Sequence, residues 1–289
     1  VSDVTDKIKG MDLDDPSLRK AATGKLAHAF KLAKALRSDM DEWWATSPVS
    51  LAQELHADDK TIDLVMHTSP MPPVEDWYNR MSDVLQNFRN ALNRLTNSIG
   101  YKFTKPAKPG DGNFPIHNAE IGWQNWLKQH PEFPADIADR FRAFEPFVSG
   151  RPFLLALRDS NNLEKHDVGF AVSVMLTDFK MGGTFTVEGL WNDDRLGDKL
   201  NLIAGESLDI VSERQVLGTI EMPTRVLEIG PDTEDAESGF AFTPMMRFDA
   251  EEIPFFAAID LIGREVTWAI AHITGLVTDA VNPPAHFDL

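Results

Sequence analysis

Two short segments carry the residue types best suited to chemistry. The first is Asn87-Phe-Arg89-Asn-Ala-Leu-Asn93-Arg94-Leu95. At about 100° per residue on a helix, Arg80, Asn87 and Arg94 line one flank of an apolar stripe, and Arg89 and Asn93 line the other. A guanidinium in such a place pairs with a carboxylate of a neighbouring helix. The second segment is Asn162-Leu-Glu164-Lys165-His166-Asp167, at the expected end of a helix. Lys165 and His166 there would favour the negative end of the helix dipole. The sharper reading is a polar cluster in which His166 is a general base beside Lys165 and Glu164.

Other chemistries find less support. The eight histidines are dispersed, with no two within five positions and none in an H-E-x-x-H frame. No metal site and no cofactor are therefore expected. Asp232, Glu234, Asp235 and Glu237 precede Gly239 without the alternate spacing or terminal Glu of a calcium loop, and read as a solvated loop. Gly110-Asp-Gly112 has no following G-K-[ST], and Gly205-Glu-Ser207-Leu-Asp209 lacks the second Gly of a nucleophile elbow. With no cysteine in the chain, disulfides, thiolate metal sites and cysteine nucleophiles are excluded. Lys102, Lys105 and Lys108 sit among Pro and Gly, and read as part of a solvated loop rather than an anion site.

These segments need elements to position them. Asp15 as N-cap and Pro16 at the first turn predict a helix from about Pro16 to Thr46. Its buried face would hold Leu18, Ala22, Leu26, Ala29, Ala33, Leu36, Met40 and Trp43, and Pro48 would stop it. An extended run is expected over 61–68, then a stiff connector, Ser69-Pro-Met-Pro-Pro73. The best-patterned helix spans about Val74 to Ile99, closed by Gly100. Shorter helices are expected over 122–129, 135–144 and 152–166. Strands follow over 168–176, 184–191, 200–203, 207–211, 216–221, 225–229 and 240–248, at spacings that favour antiparallel pairing. A last helix would run from about Pro254 to Thr274. The expected fold is α+β: an N-terminal helical part packed on an antiparallel β-sheet and closed by a C-terminal helix. One domain, 1–289, is expected, with the helical part at about 16–166, strands at 167–248 and the final helix at 254–274.

The chain has 289 residues and a formal net charge of −17, which argues against extensive contact with nucleic acid. The acidity is uneven. From Thr186 onward there are 6 Lys/Arg against 20 Asp/Glu, whereas the first 185 residues hold 22 against 25. Local RNA contact by the nearly neutral helical part is left open. The N-terminal residues lack the apolar core of a secretory signal, and Phe255–Val277 is interrupted by Asp260, Arg264, Glu265 and His272. A cytoplasmic protein without a membrane partner is expected. Its amphipathic helices could pair two copies of the chain as a homo-oligomer.

The order of motifs resembles an uncharacterised family of bacterial, mostly actinobacterial, proteins with the patterns N-L-R-x-A-L-D-H-L, F-P-I/F and N-x-D-K-H-R. The counterparts are Asn87–Leu95, Phe114-Pro115-Ile116 and Asn162–Asp167, within about residues 20–180. The family's R-x4-H spacing in turn resembles the Arg/His signature of HEPN-type ribonucleases. That resemblance implies Arg89 as a phosphate-binding residue and His166 as an acid or base. The family's D-H is Asn93-Arg94 here and its final Arg is Asp167, so such a site would be impaired. The paired departures also suggest an exchanged charge, with Arg94 facing Asp167. Two functions follow: a non-catalytic binding or assembly protein using Arg89, Asn93, Arg94, Asn162, Glu164, Lys165, His166 and Asp167, or a HEPN-like RNA-cleaving or nucleotide-binding protein. The first is the preferred expectation.

Overall fold

The computed structural model describes residues 16–103, 112–131, 133–150, 152–163, 172–179, 185–187, 207–209, 212–221, 226–229, 238–248 and 251–276. Helices α1 (Pro16–Ala45), α2 (Val74–Phe103), α3 (Glu120–Gln129), α4 (Ala135–Arg142), α5 (Pro146–Ser149) and α6 (Pro152–Leu163) dominate the first part. Between α1 and α2 lie β1 (Val49–Leu55) and β2 (Thr61–Thr68). After α6 come β3 (Val172–Phe179), β4 (Phe185–Val187), β5 (Ser207–Asp209), β6 (Arg214–Glu221), β7 (Val226–Ile229), β8 (Ser238–Phe248) and β9 (Glu251–Pro254). Helix α7 (Phe255–Ile273) completes the described chain. The fold is α+β, with antiparallel strands and a C-terminal helix as expected. No helix among the described residues is long and apolar enough to cross a membrane.

The chain divides into two compact units: residues 1–36, 75–169 and 256–289, and residues 37–74 and 170–255. In the helical unit, burial follows the apolar stripes. Met81, Val84, Leu85, Phe88, Ala91, Leu92, Leu95 and Ile99 of α2 are buried, as are Ala22, Leu26, Ala29, Ala33 and Leu36 of α1. Helix α7 is apolar on most sides, the pattern of a helix enclosed by neighbours; Phe255, Ile259, Ile262, Val266, Ala269, Ile270 and Ile273 are buried. Gly263 lets α1, α2 and α7 approach closely, since a Cβ there would stand 2.5 Å from Phe30 and 3.3 Å from Phe88. These two rings meet edge to face at 5.3 Å.

The strand unit is antiparallel throughout its described pairings, with orders β1-β2-β6, β5-β3-β8-β9 and β4-β7. Strand β2 pairs with β1 from Val49↔Thr68 to Leu55↔Ile62, and with β6, some 150 residues away in sequence, from Thr61↔Glu221 to His67↔Arg214. Being central, it is buried on both sides, with Ile62, Leu64 and Met66 joined by Asp63 and Val65.

Several boundaries differ from the sequence reading, each for a physical reason. Helix α2 continues through Gly100 to Phe103. A glycine costs an interior helical position only about 1 kcal/mol, and the first proline after it is Pro106. Strand β1 escapes the periodicity because Ala52 and Gln53 blur its alternation; its turn to β2 holds it. There Asp58 accepts N–H bonds from Lys60 and Thr61, both at 2.9 Å, and Asp59 takes φ 55°. The expected helix over 135–144 ends at Arg142, and Pro146 opens the separate single turn α5. Strand β9, which precedes α7 without a linker, was also not foreseen. The expected strand over 200–203 lies outside the described residues.

Candidate functional site

The Phe-Pro-Ile element is the centre of the best-defined polar construction. Pro115 forces Phe114 to be extended and supplies no N–H of its own, so segment 113–117 joins no sheet. Its backbone groups are met by side chains instead. Trp126 of α3 donates its indole N–H to the Asn113 carbonyl at 3.2 Å. Asn93 of α2 accepts the Phe114 N–H at 2.9 Å, and Arg89, one turn earlier, donates Nη2 to the Phe114 carbonyl at 2.9 Å. Arg158 of α6 donates to the Ile116 carbonyl at 3.3 Å. Glu145 accepts the His117 N–H at 2.6 Å with one oxygen and meets Nδ1 of the same residue at 2.8 Å with the other.

Local sequence explains the placement of each partner. Arg89 and Asn93 are four apart and therefore share one flank of α2. Glu145 precedes Pro146, which holds it extended at ψ 130°, while the backbone N–H groups of Val148 and Ser149 both return to its carbonyl at 2.9 Å. Beneath the segment, Phe114 packs on Phe141 at 5.4 Å, and Trp126 contacts Trp123, Phe133 and Phe141 at 5.2, 5.3 and 5.9 Å. His117 lies over the start of α3, where a Cβ on Gly122 would come within 2.6 Å of its ring.

The electrostatics are those of a shielded cluster. Glu145 has no solvent exposure. Arg89 is partly buried by whole-residue area, yet its Nη1 is shielded from solvent and has no hydrogen-bond partner among the described residues. Burial pulls its guanidinium down to about 10; Arg158 pushes the same way, and the Glu145 charge opposes them. Arg89 remains a cation near neutrality. Arg158 is itself anchored by Asp159 at 2.6 Å and by the side-chain oxygen of Asn118. Since Glu145 meets Nδ1 of His117, it favours the tautomer with the proton there and leaves Nε2 as the acceptor.

The outer side of α2 presents a second feature. Asn90, Asn93, Arg94 and Asn97, with Gly112 and Asn113, line a cleft of about 310 Å³. Arg94 is exposed and has no hydrogen-bond or ion-pair partner among the described residues. The two flanks read from the sequence thus meet through Asn90 and Asn97, which the motif-based reading passed over. The signal was present in the spacing 90, 93, 97, which keeps three amides on one face. Glu145, His117 and Arg158 were likewise not singled out; an acidic residue directly before a proline was their one visible sign.

Arg89 and Asn93 come together on Phe114, whereas Arg94 turns to the cleft. Asn162 lies in the last turn of α6. Glu164, Lys165, His166 and Asp167 lie outside the described residues, and with them the expected pairing of Arg94 with Asp167. Among the described residues, no group of three or more His, Asp or Glu is placed to hold a metal ion. Comparison with protein-family models, with curated proteins and with solved structures returns no match.

Proposed function

We propose that this chain is a non-catalytic, cytoplasmic binding or assembly protein, with kinship to the actinobacterial family its motifs resemble as part of the same proposal. The observation that carries the reading is the use made of Arg89. The residue that a ribonuclease would aim at a phosphate donates instead to the Phe114 carbonyl, and Asn93 takes the adjoining N–H. A buried donor held by a main-chain acceptor is a structural clamp, and releasing it for a substrate would orphan that acceptor. Position 94, where the resemblance would call for a histidine base, holds an arginine that cannot exchange protons near neutrality.

The test is incubation of the purified protein with structured RNA, beside Arg89→Ala and His166→Ala, with thermal melts to establish that each variant is folded. Intact RNA in all three is expected. Cleavage by the natural chain that disappears in both folded variants would replace this reading with the HEPN-like one.

A further inference from the structure

The cleft on the outer side of α2 has a one-sided hydrogen-bonding character. The Asn93 side-chain oxygen is occupied by the Phe114 N–H at 2.9 Å, so its NH2 group is the part left to bind elsewhere. The Asn90 oxygen accepts from Gln86 at 3.3 Å, which leaves its NH2 group in the same position. Arg94 adds a guanidinium that no described side chain neutralises. No carboxylate is among the described residues that line it, in a chain that carries a net charge of −17. Gly112 closes one side, so near Asn97 that a Cβ there would run into its amide. The NH2 groups of Asn90 and Asn93 and the Arg94 guanidinium are donors complementary to oxygen acceptors bearing negative charge.

From this convergence we infer a binding site for a small oxyanion-bearing ligand, with a phosphate or carboxylate group seated on Arg94 and the amides of Asn90 and Asn93. The inference rests on the binding-protein reading and supplies its ligand class. The volume of about 310 Å³ is at the lower end of small-molecule sites, which span about 300–1,000 Å³, and suits a compact metabolite rather than a polymer. A guanidinium forks onto two oxygens of a phosphate or a carboxylate alike, so the chemistry shared by the two is what the cleft recognises. An uncharged sugar would leave Arg94 unpaired.

Isothermal titration calorimetry with inorganic phosphate, citrate and trehalose tests this on the full chain and on two variants, Arg94→Gln and Asn97→Asp. Arg94 is exposed, so its replacement leaves the fold in place, and a thermal melt verifies this. Saturable one-to-one binding of phosphate or citrate is expected, weaker by about tenfold or more in Arg94→Gln, the loss typical of one charge-assisted contact. Asn97→Asp should weaken it as well, by placing a carboxylate in the wall. Tighter binding of phosphate assigns a phosphate ester, and tighter binding of citrate a polycarboxylate. The site is overturned if neither anion saturates, if Arg94→Gln binds as tightly as the natural chain, or if trehalose binds as well as the anions. Failure here with uncleaved RNA removes the cleft and leaves the binding-protein reading standing; RNA cleavage that is lost in both folded variants, Arg89→Ala and His166→Ala, removes that reading by itself.

Discussion

Two polar networks that share Arg, Glu and His do opposite work in this molecule. Around Phe114–His117, Arg, Asn, Glu and Trp side chains bond to main-chain groups that have no strand to pair with. On the β1-β2-β6 sheet the main chain is already paired, and Glu54, His56, Asp63, His67, Arg214 and Thr219 bond to one another across the strands. Arg214 reaches Glu54 at 2.6 Å, His67 meets Glu54 at 3.0 Å, and Asp63 receives His56 at 2.8 Å and Thr219 at 2.7 Å. The partners differ in solvation. Glu145 is fully covered, whereas the side chains of His56, His67 and Arg214 are 46%, 40% and 48% exposed. A group that water can replace contributes little, and a group that alone satisfies a buried amide contributes much. A count of hydrogen bonds therefore conceals unequal consequences.

The sharpest way to break the comparison is Glu145→Ala. It leaves the His117 N–H without an acceptor and removes the charge that Arg89 senses, so a loss of about 3–5 kcal/mol is expected in chemical denaturation. Glu145→Gln keeps one acceptor oxygen and should lose less, about 1–3 kcal/mol. Next come Arg89→Met and Asn93→Leu, each orphaning one polar group of Phe114 at about 1–3 kcal/mol. The double variant should cost less than the sum, by a coupling of about 0.5–3 kcal/mol, because a segment already lifted into water loses nothing more when its second tie is cut. Strict additivity in urea unfolding would show that the two ties act independently. Gly122→Ala probes the same region from below. Its Cβ would meet the His117 ring close to the main chain, where little can give, and overpacking of about 1–3 kcal/mol is expected.

Legibility followed the range of the interactions. The stripes of α1, α2 and α7 were readable because one face of a helix is a local pattern, and all three helices lie within a few residues of their expected bounds. Strand β1 was missed because its partner register, not its own alternation, holds it in place. The α+β class was readable from the order of elements. The pairing of β2 with β6 was not, since nothing near Thr61–Thr68 marks a partner at 214–221. At the candidate site, the flank shared by Arg89 and Asn93 was visible from their spacing, but its target was not. A carbonyl acceptor leaves no mark in the sequence, whereas a carboxylate partner would have been an Asp or Glu to look for. Asn90 and Asn97 gain their meaning from Gly112 and Asn113, which a helix-by-helix reading cannot bring beside them.

The smallest expected effects belong to the sheet network, and acid separates it from the clamp. The Glu54 carboxyl is held below its usual 4.5, chiefly by the Arg214 hydrogen bond and then by Arg214 and His67 charge and bonding. Asp63 is held below 3.8 by its bond from His56 first and from Thr219 second. In the β1–β2 turn, the Thr61 hydroxyl and the N–H groups of Lys60 and Thr61 bring Asp58 down to about 2. A carboxyl whose pKa is lower folded than unfolded binds fewer protons when folded, so its contribution is complete above the unfolded pKa. It fades as the pH falls through the folded one. Stability should thus be level near neutrality and decline as the pH drops below about 4. Glu54→Gln should flatten that decline while lowering the melting temperature at neutral pH by less than any clamp variant. Added salt should reduce the Glu54–Arg214 part further, because that pair is open to solvent. If Glu54→Gln proves as damaging at pH 7 as Glu145→Gln, exposure is not what separates the two networks, and the sheet pair must be holding a register that the main-chain ladder alone cannot keep.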